Sequence, residues 1–316
     1  EIFLTNEKIS KSIIDSLELQ LNFDNACFIP YEKQNLKKYS KFKTDTRLTI
    51  KNFNFVLHRL CNKYSKNLIF DFSDLSQLKN QGFDDRAILQ YIEDVQKEYF
   101  SRLCTDDDIN QQKLKRLDLS QYYKVPSDAI LNTLFLFFKL SRYKDSNLRS
   151  ILLDGNNGTK TAYLNSYLYK RKAAKNKKYR GIRAYFPYGK ENENRLHDGI
   201  NILKLELYRE LKSDLSGSGS MKLSFSELKQ IVAEDRLTNL YYDWLYFEFP
   251  YLKDEPVKNI ELIKSRLNIY TLDDVIQIID SGNIHIRDKR NLFYVLLSLI
   301  DKDEASVIKD IFKIKK

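Results

Sequence analysis

Residues Ile202 to Tyr208 alternate strictly. Leu203, Leu205 and Leu207 fall on one side of an extended chain, and Lys204, Glu206 and Tyr208 on the other. A period of two specifies a strand with one face in a core and one polar face. Lys113-Leu114-Lys115-Arg116-Leu117-Asp118-Leu119 alternates towards its end, with Leu117 and Leu119 opposed to Arg116 and Asp118, while Leu114 is out of phase. Arg47 to Phe55, Leu68 to Phe72, Ile151-Leu152, Thr161 to Tyr169 and Gly181 to Phe186 add further extended segments.

Helical patterns interrupt these strands. Thr5-Asn6-Glu7 leads into Ile9, Ile13, Ile14, Leu17 and Leu21, the spacing of a capped amphipathic helix. Asp84 to Phe100 places Ile88, Leu89, Ile92, Val95 and Tyr99 on one side. Ser127-Asp128 opens a strongly apolar helix through Ile130, Leu131, Leu134, Phe135, Phe138 and Leu140, the best core helix in the chain. His58, beside Leu57 and Leu60, reads as a structural histidine in an apolar helical pattern.

The run Ser216-Gly217-Ser218-Gly219-Ser220 precedes Met221, the one methionine in the sequence. Gly/Ser composition imposes little backbone preference, as a linker requires. The run reads as an engineered seam that fuses two chains or replaces a loop, with a natural loop as the alternative. Beyond it the pattern is helical: Ser226 to Phe249 with the rings of Tyr241, Tyr242, Trp244, Tyr246, Phe247 and Phe249, then Lys258–Leu267, Thr271–Ile279, Asn291–Leu299 and Glu304–Phe312. Thr271-Leu272-Asp273-Asp274 has capping-box spacing, and Gly282 ends the helix it opens. The expected organisation is an α+β region over 1–215 with an antiparallel sheet, a linker over 216–220, and an all-helical region over 221–316.

With 42% hydrophobic residues the chain is too apolar for disorder, and 53 Lys and Arg against 43 Asp and Glu give a net charge of +10. That excess favours a polyanionic partner, with dispersed surface charge as the alternative. Cys27, Cys61 and Cys104 are odd in number and widely spaced. They fit neither a zinc finger nor a disulfide framework, so a reducing, cytoplasmic setting is expected. His58, His197 and His285 are too far apart to form a closely spaced ligand pair. No segment is apolar over the length a bilayer requires, and no basic-then-apolar leader is present, so neither membrane nor export is expected.

The sharpest charge feature runs from Lys160 to Arg183. Lys160, Lys170, Arg171, Lys172, Lys175, Lys177, Lys178, Arg180 and Arg183 occur there without one acidic residue, interleaved with Tyr163, Tyr167, Tyr169 and Tyr179. Cations neutralise phosphates and exposed tyrosines stack on unpaired bases, so this stretch is the expected nucleic-acid contact. The alternative is a solvated hairpin whose tyrosines pack on the sheet.

Asp118 and Glu206, each on the polar side of a strand, could together hold Mg2+ or Mn2+ for phosphoryl transfer. The competing expectation is ordinary ion pairing with their flanking cations Arg116 and Lys204. Asp106-Asp107-Asp108 reads as a helix cap or solvated loop. Asp154 to Thr161 lacks the glycine spacing and GK[ST] ending of a phosphate-binding loop.

Four patches together are similar to one family. They are Lys115-Arg116-Leu117-Asp118-Leu119, Thr161-Ala162-Tyr163-Leu164-Asn165-Ser166, Tyr188-Gly189-Lys190-Glu191, and Leu203 to Leu207 followed by Arg209-Glu210-Leu211-Lys212. In order and spacing they resemble the rolling-circle replication initiators of phages and plasmids, of the filamentous-phage gene II type, over about a third of the chain, residues 110 to 215. The resemblance implies an RRM-like or palm-like sheet with Asp118 and Glu206 on central strands. It also implies a nucleophile among Tyr163, Tyr167 and Tyr169, assisted by Lys170 or Lys190. The histidine pair that holds the metal in that family has no counterpart here.

The reading is therefore a DNA-binding protein of replication-initiation type without efficient nicking, RNA being an alternative ligand. Two rivals stand beside it. One is an interaction module that docks a protein partner through 221–316, and the other a divalent-metal nuclease built on Asp118 and Glu206.

Overall fold

The computed structural model describes residues 12–22, 43–50, 53–60, 67–72, 75–100, 105–141, 149–154, 160–165, 180–187, 201–210, 223–249, 252 and 259–314. The strands are β1 (Ile14–Asn22), β2 (Lys43–Ile50), β3 (Phe53–Leu60), β4 (Asn67–Phe72), β5 (Lys113–Val125), β6 (Arg149–Asp154), β7 (Lys160–Asn165), β8 (Arg180–Tyr185) and β9 (Asn201–Glu210). The helices are α1 (Ser76–Asn80), α2 (Asp85–Phe100), α3 (Asp106–Asn110), α4 (Ile130–Ser141), α5 (Phe225–Ala233), α6 (Leu237–Glu248), α7 (Ile260–Leu267), α8 (Leu272–Asp280), α9 (Ile286–Leu299) and α10 (Lys302–Ile311). This is a mixed α+β fold with antiparallel strand pairing, followed by a helical C-terminal region.

The chain divides into two compact units. The first comprises Asn6–Leu119 and Tyr208–Thr238; the second comprises Glu1–Thr5, Ser120–Leu207 and Asn239–Lys316.

In the first unit the strands lie in the order β2-β3-β4-β1-β5. The helix expected from Thr5 to Leu21 is corrected: from Ile14 onward the chain is strand β1, and Thr5 to Lys11 lie outside the described residues. Leu17 and Leu19 are fully buried while Glu18 and Gln20 are half-buried, so the period of two prevails over the apolar i, i+4 matches. Leu17 faces Phe72 of β4 and Leu117 of β5. The single strand expected over Arg47–Phe55 is two strands, with Ile50 opposite Phe53, and His58 belongs to β3 rather than to a helix.

The out-of-phase Leu114 has a physical explanation. The β1–β5 register steps from Glu18↔Arg116 to Leu19↔Leu114, which leaves Lys115 as an extra residue. That bulge turns Leu114 back to the side of Leu117, and both are buried.

Asp85, at the start of α2, fixes the entry to β1. Its carboxylate accepts from Ser12 Oγ at 2.5 Å, Ile13 N at 3.1 Å and Ile14 N at 2.9 Å. Chain from beyond residues 216–220 completes this unit. Leu114 N donates to Leu223 O at 2.9 Å, and Phe225 N donates to Gln112 O at 2.8 Å. Lys229 of α5 then bonds Glu93 of α2 and Asn110 of α3. The helix expected over Ser226–Phe249 is interrupted, with Asp235 at φ 54° between α5 and α6.

In the second unit the order is β5-β9-β8-β7-β6. Ala162 and Leu164 of β7 face Ala184 and Ile182 of β8, and all four are fully buried. They share the buried side with Leu203, Leu205 and Leu207 of β9, and α4 packs on β6, β7 and β8. Phe137 of α4 meets Phe293 of α9 at 4.3 Å between ring centroids and Phe312 at 6.1 Å. Phe249 touches both Phe138 at 5.8 Å and Phe312 at 4.9 Å, so the aromatic cluster after the seam joins α4 and α10 in one core. Trp244 is buried as its neighbours require. The expected capping box is present: Thr271 accepts from Asp274 N while the Asp274 carboxylate accepts from Thr271 N. Gly282, at φ 71°, follows the end of α8 and takes a backbone conformation glycine adopts without strain.

Candidate functional site

Alternation sets the opposite face of the second unit's sheet. Because Ala162, Leu164, Ile182 and Ala184 turn inward, Thr161, Tyr163, Arg183 and Tyr185 turn the other way and remain half-buried. Tyr163 lies directly opposite Arg183, and Thr161 opposite Tyr185. Lys160, exposed, begins β7, and Arg180 begins β8.

Glu206 lies at the base of this face, wholly buried on β9. Arg183 forms a short ion pair with it, Lys204 Nζ lies 3.9 Å away, and the Tyr185 hydroxyl donates to it at 3.3 Å. Lys204 Nζ lies near two rings, 5.7 Å from the centroid of Tyr122 and 5.6 Å from that of Tyr185. The Arg183 guanidinium is also 5.6 Å from the Tyr185 ring. These are cation–π distances. The Arg183 side chain is 34% exposed against 9% for Lys204. The result is a cluster of cations and tyrosine rings around a buried carboxylate.

Asp118 belongs to the first unit and is also wholly buried. It accepts from Arg116 Nε at 2.9 Å, from the same guanidinium's NH2 at 2.5 Å and from Ser16 Oγ at 2.6 Å. Arg116 NH1 also approaches Glu18 at 4.0 Å. Burial pushes the Asp118 carboxyl above the usual carboxylate range, while Arg116 and Ser16 oppose the rise. Asp118 and Glu206 thus fall in different units, each with its own cations. Of the two roles the sequence allows them, the ion pairing with flanking cations is the one these distances describe. Among the described residues no group of three or more His, Cys, Asp or Glu is placed to hold a metal ion.

Asp106, Asp107 and Asp108 form the first turn of α3, where Thr105 and Asp108 make a capping box. His285 is the N-cap of α9. Tyr167, Tyr169, Lys170, Arg171, Lys172, Lys175, Lys177, Lys178, Tyr179 and Lys190 lie outside the described residues, as do His197, the three cysteines and the Gly/Ser run. Among the described residues no helix is long and apolar enough to cross a membrane.

Sequence reasoning singled out Arg183, Glu206 and Tyr163, with Tyr185 just beyond the basic run, but missed Tyr122. Tyr185 had a legible signal, since it stands two residues from Arg183 in one strand. Tyr122 had none, because β5 continues beyond the alternating stretch into Tyr122-Tyr123. In the helical region four large apolar side chains are exposed within one stretch: Leu262, Tyr270, Leu272 and Ile286. No protein-family model matches the chain, and comparison with curated proteins and with solved structures gives no match either.

Proposed function

We propose that the protein binds single-stranded DNA on the half-buried β7–β8 face of its second unit, in the manner of a replication-initiation protein that does not nick efficiently. One observation carries the reading: Tyr163, Arg183 and Tyr185 are half-buried on the side of β7 and β8 opposite to the one that packs in the core, with the buried Lys204 and Tyr122 beside them. A sheet with helices on one side and aromatic rings with cations on the other is the working plan of RRM-like nucleic-acid binders. The rings suit unpaired bases, because a duplex hides its base faces, and the cations suit phosphates.

The absence of efficient nicking follows from chemistry. An ordinary tyrosine hydroxyl, with a pKa of about 10, is a weak nucleophile without a metal or base to activate it. Asp118 and Glu206 are engaged with guanidinium groups.

The test is equilibrium binding of labelled single-stranded DNA, the matching duplex and single-stranded RNA across a salt series, with magnesium or manganese added in parallel. The expected result is tighter binding of single-stranded DNA than of duplex, affinity falling with salt, and no covalent protein–DNA adduct. Equal or stronger duplex binding would remove the stacking argument. Preference for RNA would transfer the face to a different partner. A metal-dependent adduct lost in Tyr163→Phe would restore nicking.

A further inference from the structure

Glu206 is a carboxylate beneath a surface proposed to receive a polyanion. By charge counting alone it opposes binding, and removing its charge should help. The geometry points to the opposite: we infer that Glu206 is a positioning residue that holds Arg183 in a phosphate-ready arrangement, with the enclosed Lys204 behind it, so that Glu206→Gln weakens binding. This inference rests on the nucleic-acid reading above.

Three contacts carry it. The Arg183 guanidinium is paired with the carboxylate, Lys204 Nζ stands 3.9 Å from it, and the Tyr185 hydroxyl donates to it at 3.3 Å. One anion therefore orients two cations and one ring from two strands. Arginine and lysine are the side chains with the most rotamer freedom to lose when they are immobilised on a ligand. Fixing them beforehand removes that loss from the binding step.

Lys204 shows the dependence most clearly. Its side chain is nearly enclosed, with the ammonium near the rings of Tyr122 and Tyr185. An enclosed cation needs its counter-charge. With glutamine at 206 the charge is gone and one acceptor oxygen becomes a donor, so Lys204 loses this counter-charge and Arg183 exchanges a charged acceptor for a neutral one. The lysine and arginine near the Tyr185 ring are then less firmly held.

The experiment compares wild-type protein with Glu206→Gln on labelled oligothymidylate, reading dissociation constant, active fraction by stoichiometric titration, and the slope of log K against log salt. The expected result is a loss of about 5- to 100-fold in affinity, from two side chains that must now be ordered on binding. The salt slope should become shallower at full stoichiometry, although the protein has gained a unit of positive charge. A merely structural defect would lower the active fraction and leave affinity and slope of the folded molecules unchanged, and that outcome overturns the inference. So does a variant that binds as well as or better than wild type. If Glu206→Gln does not fold, Arg183→Lys carries the test. It keeps the formal charge and gives up the planar pair, and unchanged affinity and slope would again overturn the proposal. Wild-type protein that fails to bind oligothymidylate at low salt rejects the nucleic-acid reading itself, a result distinct from any variant effect.

Discussion

Arg116→Ala lowers the stability of the folded chain by about 3–5 kcal/mol, the usual result of leaving a buried charge without its partner. The Asp118 carboxylate is wholly enclosed, and a single guanidinium supplies two of its hydrogen bonds, at 2.9 and 2.5 Å. Ser16 remains as a donor but carries no charge. The penalty is pH-dependent with a definite sign. Burial already raises the Asp118 carboxyl, and loss of Arg116 raises it further by removing the chief opposing influence. In the variant the folded state therefore holds a proton that the unfolded state has released. That contribution is fully present below the unfolded carboxylate range and is lost as pH rises through the raised folded value. Denaturant titrations should show a deficit that is largest near neutrality and shrinks on acidification. Adding Asp118→Asn to the variant should restore most of the stability at neutral pH, since an amide has no charge to leave uncompensated. A deficit that is independent of pH and untouched by the second change would mean that packing of the arginine stem, not charge, dominates.

The second large effect concerns binding. Tyr163→Ala combined with Tyr185→Ala should weaken single-stranded DNA binding at least ~30-fold, since base–aromatic stacking is worth about 1–3 kcal/mol per base. The two rings stand on adjacent strands on either side of Arg183: Tyr163 opposite it, Tyr185 two residues along. Because neither replacement removes a cation or the Glu206 carboxylate, the slope of affinity against salt should change less than in Glu206→Gln while the affinity falls. Tyr163→Phe keeps the ring and should bind as wild type does. An alanine pair that binds with unchanged affinity would show that the rings are packing elements of the sheet surface only.

How much of this was legible in the sequence depends on how local the determining interaction is. Leu203, Leu205 and Leu207 against Lys204 and Glu206 define β9 by themselves, because burial of one strand face writes its period into the residues. The capping box of Thr271 and Asp274 is equally local, with donor and acceptor three residues apart. β1 was misread because Ile13, Ile14, Leu17 and Leu21 also match helical spacing. The decision in favour of a strand lies in Phe72 and Leu117, which are distant in sequence. The same holds for Leu114, whose phase makes sense only once the bulge opposite Glu18 and Leu19 is known. At the sheet face, Arg183 and Glu206 were each visible as charged residues on polar strand sides. Their pairing was not, since strand order decides it. The alternation placed Lys204 beside Glu206, but nothing local said that its ammonium would lie near two tyrosine rings.

The central claim, that single-stranded DNA lies on the face of Tyr163, Arg183 and Tyr185, is tested most directly by photocrosslinking. Wild-type protein bound to an oligonucleotide carrying 4-thiothymidine is irradiated and digested, and the attached peptides are identified by mass spectrometry. Crosslinks in β7 and β8, at residues 160–165 and 180–187, are the expected result, diminished in the Tyr163→Ala, Tyr185→Ala protein. Crosslinks confined to α7, α8 and α9, with none in β7 or β8, would contradict it.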